Sequence, residues 1–276
     1  MSSTDSSSNN SDGIIRIQPN GAYDFDPSKL NFREPKMMTS GAKLVMLTYG
    51  DSKTNNQFMV ETPTMHAPMG KMEWETPGAP TKHSIMLSMN DIDTRKDMQQ
   101  FQQLLETVGR LVRTAGFEKS MAWMRKSFKT AATVDDMYQP LERKSRNKET
   151  GEEDGRWPSS VKLTLPYGAD GKPKFTTYNQ SGQEIDIATV ETRHSNITAI
   201  VCLQNVWIAG NMFGVSFKAV QIMVEPRRTM AACAFRNIAK TPPAIAGASS
   251  SAAAAVHAAD LLESDDDDVE VGAGDE

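Results

Sequence analysis

The sequence predicts a mainly β protein of the α+β kind, a barrel or sandwich carrying a helical insertion. Three observations lead there. The longest apolar stretch, residues 197–224 (ITAIVCLQNVWIAGNMFGVSFKAVQIMV), is rich in β-branched and aromatic residues around a short Ala209-Gly210-Asn211-Met212 connector. Strand-like runs recur on either side of a central region. Only at about 93–129 does the apolar spacing change from two to three and four.

Taken in order, residues 1–13 are almost entirely Ser, Asn and Asp, which bury too little apolar area to offset ordering entropy, so disorder is expected. Residues 14–17 read as a short edge strand. Pro19-Asn20-Gly21 and Asp26-Pro27-Ser28 read as turns, with Tyr23 and Phe25 between them. Residues 42–48 and 57–61 predict a hairpin across Tyr49-Gly50-Asp51-Ser52. The four prolines of 62–80 point to a structured loop or edge segment, and 83–89 to another strand. Met98, Phe101, Leu104, Leu105, Val108, Leu111 and Val112 then form one helical face, capped by Asp93 or Thr94 and ending at Gly116. A second helix is expected over 117–129, with Phe117, Met121, Met124 and Phe128 on one side. Residues 160–165 and 173–178 read as a hairpin turning at 167–171, followed by 184–190. The runs 197–208 and 213–224 close the fold as a hairpin. The first is nearly apolar throughout, as in a strand covered on both faces. The second slips in alternation near Ala219, and a bulge is expected beside Gly214.

Composition sets outer bounds. The 276 residues are 38% hydrophobic and 24% charged, within the globular range. No run of eighteen apolar residues occurs and the first residues do not read as a secretory signal, so an intracellular setting without membrane contact is expected. Cys202 and Cys233 stand in apolar surroundings and read as buried hydrophobes. No phosphate-binding glycine loop or zinc spacing is present, and His66, His83, His194 and His257 are widely separated. Asp135 and Asp136 read as a capping or solvated turn rather than a metal pair. Glu191, Arg193 and His194 would need a concave site to act as catalysts. The expectation is a protein that is not an enzyme and uses no cofactor or metal.

Charge is distributed unevenly. Residues 260–276 hold nine acidic side chains and no Lys or Arg, whereas the remainder holds 30 basic and 26 acidic residues. The acidic tail follows an Ala/Gly/Ser linker, 240–259, leaving 14–239 as one β-rich domain. Between Arg110 and Lys148 lie ten basic and four acidic residues. Sequence-tolerant binding of a single nucleic-acid strand needs cations for phosphates and rings for bases. Lys119, Arg125, Lys126, Lys129, Arg143, Lys144, Arg146 and Lys148 are the candidate phosphate contacts. Trp123, Tyr138, Trp157, Tyr167, Phe175, Tyr178 and Trp74 are the candidate stacking groups. A flexible acidic tail would compete with phosphates for the same cations and, once displaced, recruit basic partners.

The segments 137–167 (MYQPLERKSRNKETGEEDGRWPSSVKLTLPY) and 196–224 (NITAIVCLQNVWIAGNMFGVSFKAVQIMV) resemble a family of nucleocytoplasmic large DNA viruses whose members look like OB-fold single-stranded DNA-binding proteins. The resemblance implies a five-stranded OB-like β-barrel with helical insertions and an added N-terminal β layer. It also implies coating of exposed strands during viral DNA replication, recombination or repair. The implied partners are single-stranded DNA, with RNA as the alternative strand, replication or repair proteins through the tail, and further copies of the chain. The implied location is the host nucleus, a cytoplasmic viral factory or the virion. The competing reading is a viral structural or protein-interaction module without nucleic-acid binding.

Overall fold

A computed structural model describes residues 13–39, 41–50 and 56–227. Seven strands come first: β1 (Ile14–Ile15), β2 (Leu30–Met37), β3 (Lys43–Tyr49), β4 (Met59–Glu61), β5 (Met65–Ala67), β6 (Lys71–Thr76) and β7 (Ala79–Ser88). Helices α1 (Lys96–Glu118), α2 (Ser120–Met124) and α3 (Ala131–Met137) follow. The chain then forms β8 (Tyr138–Gln139), β9 (Glu142–Arg143), β10 (Ser160–Leu165), β11 (Thr176–Asn179) and β12 (Glu184–Ile185). It ends in β13 (Ser195–Cys202), β14 (Asn205–Ala209), β15 (Met212–Val215) and β16 (Phe217–Glu225). Residues 1–12, Cys233, His257, the 240–259 linker and the acidic tail, all subjects of the sequence reading, lie outside the described residues.

The strands form two sheets. In the larger, pairing runs β13–β5–β7–β10–β16 and returns from β16 to β13, closing a five-membered ring. The ring is thin at two places. β5 meets β7 only where His66 faces Ser88, and β10 meets β16 in parallel over Leu163 and Thr164. The fold is therefore mainly β and OB-like, as predicted, although the ring is not a clean barrel. β1 and β4 extend one flank of β13, β11 and β12 extend β16, and β6 and β9 pair with β7 and β10. The second sheet has the order β2–β3–β14–β15–β8.

Alternation sends Ile85, Leu87, Val161, Leu163 and Leu165 into the core and leaves the intervening residues on the outer face. Helix α1 fills the space next to both sheets. Its Phe101 ring lies 6.1 Å from Phe217 of β16, and a Cβ on its Gly116 would stand 3.1 Å from the Phe213 ring of β15. The apolar side chains of both sheets and α1 thus form one continuous core.

The closing hairpin differs instructively from the sequence reading. Each expected run bends once, between Cys202 and Asn205 and again at Ser216, and each bend carries the chain from one sheet to the other. One long hairpin thereby serves both sheets. It turns through Gly210 and Asn211, with Ala209 opposite Met212 and Gly210 at φ 59°. The bulge lies at Val220, because Ile200 faces Gln221 while Val201 faces Ala219. Gly214 instead sits in regular register opposite Trp207.

Other expectations are overturned by long-range pairing. β3 and β4 do not form a hairpin: β3 lies between β2 and β14, and β4 beside β13. β10 and β11 are separated by β16. The proline-rich stretch holds β5, β6 and the start of β7, because Pro63, Pro68 and Pro77 fall between strands and Pro80 sits at the irregular start of β7 without a register partner. Helix α1 continues through Gly116, and Arg95 precedes it without a side-chain cap. The second expected helix is only α2, stopped by Arg125 in the left-handed region at φ 56°, and α3 follows after Thr130. Cys202 is a buried free thiol, its pKa raised by burial.

Candidate nucleic-acid interface

The outer face of β6, β7, β10 and β9 gathers cations with an exposed indole. On β10, buried Val161, Leu163 and Leu165 alternate with outward Lys162 and Thr164. Lys162 pairs in register with Met86 of β7, Ser160 with Arg143 of β9, and Lys82 of β7 with Trp74 of β6. The Lys162 ammonium lies 5.9 Å from the centroid of the Trp74 ring, which is 54% exposed. Burial, then the Arg143 and Lys82 charges, hold Lys162 below the usual lysine range. Among the described residues no carboxylate lies within ion-pair distance of Lys82, Arg143 or Lys162.

Strand alternation sorts the charges. Glu142 precedes Arg143 but points the other way, accepting from Gln102 Nε2 at 3.0 Å on α1. Glu73, next to Trp74, is paired with Lys71 Nζ at 3.0 Å, and His83 Nδ1 lies 3.4 Å from its carboxylate. The period of two thus puts Glu142 and Glu73 on the opposite side of their strands from Arg143, Lys82 and Trp74, with Lys71 and His83 beside Glu73.

The sequence-predicted residues divide into separate groups. Lys119, Arg125, Lys126 and Lys129 are exposed beside the second sheet, with Lys119 Nζ donating to the Phe32 carbonyl and Lys126 Nζ to Asn211 Oδ1. Arg143, Lys144, Arg146 and Lys148 start at β9 and enter a turn closed by an Arg146–Glu153 bridge. Lys144 is already paired with Glu153 at 3.2 Å. The basic run is therefore not one path, because β8 belongs to the second sheet and β9 to the ring sheet.

The aromatic candidates divide likewise. Trp123, Tyr138 and Phe175 are buried, so none presents a ring face to a base, contrary to expectation. Trp123 packs near Phe32 and Phe213, and Tyr138 near Phe213. Burial raises the Tyr138 hydroxyl to about 12. Tyr167 is half-buried against His83 and Phe175, and Tyr178 is half-buried opposite Met223. Trp157 is 67% exposed, three residues before β10, with the Arg156 guanidinium 5.7 Å from its ring centroid. Lys82 and Lys162 were missed. Lys162 stands out only as the lone cation in the alternating run SVKLTL, and Lys82 lies outside the basic stretch.

No protein-family model and no curated protein matches the chain. Among solved structures, it is similar to gp2.5, a single-stranded DNA-binding protein encoded by bacteriophage T7, with a TM-score of 0.40 and 8% identity over 65% of this chain and 98% of that one. It is also similar to the C-terminally truncated single-stranded DNA-binding protein of bacteriophage Enc34, with a TM-score of 0.37 and 8% identity over 73% of this chain and 98% of that one.

Proposed function

We propose that this protein binds single-stranded DNA on the outer face of β6, β7, β10 and β9. In this reading it coats exposed strands during replication, recombination or repair of viral DNA. The observation that carries the proposal is the convergence of Lys82, Arg143 and Lys162 beside the open Trp74 ring, with no carboxylate paired to them among the described residues. Like charges held together without a counter-ion are stabilised by an arriving polyanion, and an exposed indole accepts any base by stacking. Trp157 with Arg156, leading into β10, supplies a second ring and cation. Binding of this kind forms and breaks no covalent bond.

A salt titration of labelled single- and double-stranded oligonucleotides tests the proposal, with RNA of matching sequence as a further arm. Single-stranded DNA should bind more tightly than the duplex. Replacing Lys82, Arg143 and Lys162 together by Gln should weaken binding and lower the salt slope by about two, at roughly 0.7 per phosphate contact. Binding and slope that survive the triple substitution would overturn this assignment of the face.

The acidic tail enters the proposal through its charge. Its nine carboxylates compete with strand phosphates for cations, so a chain ending at Ala259 should bind more tightly and with less preference for single strands.

A further inference from the structure

The outer face continues beyond the lysines. One transverse row of paired residues crosses five strands: Asn196 of β13 faces His66 of β5, and His66 faces Ser88 of β7. Ser88 then faces Ser160 of β10, and Ser160 faces Arg143 of β9. At about 4.8 Å between neighbouring strands, the row spans roughly 19 Å. Its β13 end opens into a groove of about 520 Å³ lined by Thr64, His66, Ser88, Asn90, Arg95 and Asn196. An adjoining groove shares His66 and Asn196 and adds His194, Arg227 and the carboxylate of Glu225.

The chemistry here differs from that of the lysine strip. The groove is lined by amides, hydroxyls and one imidazole, and its one guanidinium is already engaged. Arg95 donates to the Thr64 carbonyl at 2.9 Å and pairs with Asp97. Asp91 also lines the groove and disfavours a phosphate there. The Asn196 side chain is exposed and has no protein hydrogen-bond partner among the described residues. The His66 and His194 rings lie within 20° of parallel, with centroids 5.8 Å apart.

The segment carrying His194 is held firmly. The His194 N–H donates to the Ala67 carbonyl at 2.8 Å, and its backbone is in the left-handed region at φ 58°. Arg193 N–H donates to Glu191 Oε1 at 2.8 Å, and Ser195 Oγ donates to the Glu191 carbonyl at 2.6 Å. Glu191 therefore serves the turn, and the turn orients the imidazole. A preorganised groove with donors, acceptors and little net charge suits the edges of unstacked bases better than phosphates.

We infer that this groove is a base-reading subsite for the strand held at the lysine strip, in which Asn196 and His66 hydrogen-bond base edges. The inference rests on the proposed nucleic-acid reading and adds base preference to it. Phosphate contacts set the overall affinity from the lysine side. Groove contacts distinguish one base from another, because an amide and an imidazole meet a different donor and acceptor pattern on each.

Fluorescence anisotropy on the full chain tests it with oligo(dT), oligo(dC) and oligo(dA) of equal length. The wild-type protein should bind the three with affinities spread by about fivefold, the scale of one hydrogen bond. Asn196→Ala or His66→Ala should narrow that spread to about twofold, while Lys162→Gln lowers all three affinities and preserves it. A wild-type protein that treats the three alike, or a spread unchanged in both groove variants, overturns the subsite. Failure of Lys162→Gln to weaken any of them counts separately against the lysine strip, so the two failures are distinguishable.

Discussion

Lys162 shows how one side chain carries information that its sequence neighbours conceal. It is a single lysine in an apolar run, yet pairing with β7 and β9 brings Lys82 and Arg143 within Coulombic reach. Its folded-state pKa lies below its unfolded value, so the native chain releases this proton first as pH rises. The penalty is present while Lys162 is charged and is relieved as pH climbs through its lowered pKa toward that of an exposed lysine. Replacing Lys162 by Met should therefore lower single-strand affinity without lowering the denaturation midpoint, as urea titration and anisotropy together would show. Lysine side-chain NMR should find its pKa raised when oligo(dT) is bound, because phosphate reverses the sign of the local field. A different constraint acts at Gly70, where φ is +65° and a Cβ would lie 2.6 Å from Arg193 N. Gly70→Ala should cost about 2 kcal/mol or more in equilibrium unfolding, since backbone must move to relieve the clash.

At the scale of elements, the bent hairpin of β13 to β16 does what neither sheet could do alone. Its base pairs within the ring, its tip pairs within the second sheet, and α1 packs against Phe217 and Phe213 in the two halves. Its apolar character and its Gly-Asn turn are readable from residues 197–224. The two bends are not, because Leu203 and Ser216 carry no special turn chemistry and the change of direction follows from which sheet each half joins. Helix α2 illustrates the same limit. Trp123 reads as a stacking candidate among basic residues, but the short helix turns its indole inward, and Lys43 Nζ bonds the Ala122 and Trp123 carbonyls at its end. Trp123→Ala should cost about 3–5 kcal/mol of stability in thermal or urea unfolding. Single-strand affinity per folded molecule should stay unchanged, whereas Trp74→Ala should weaken stacking by about 1–3 kcal/mol with little effect on stability.

Over the whole molecule, charge acts through its arrangement rather than its total. The net charge of −5 hides an uneven order along the chain, with nine of the acids in its last seventeen residues, while Lys82, Arg143 and Lys162 gather on the outer face of the ring sheet. Composition and periodicity were enough to predict a mainly β chain and a helical insertion near 93–129. Trp74, Trp157 and Arg143 were also visible, as exposed-type residues in polar or proline-rich stretches. Which residues alternate in and out of each strand is legible from local order alone, since a period of two is a property of extended backbone. Which strands lie side by side follows from long-range packing. Pairing across dozens of residues, from β6 through β10 to β9, is what brings Lys82, Lys162, Arg143 and Trp74 onto one face while the consecutive basic run divides between two sheets.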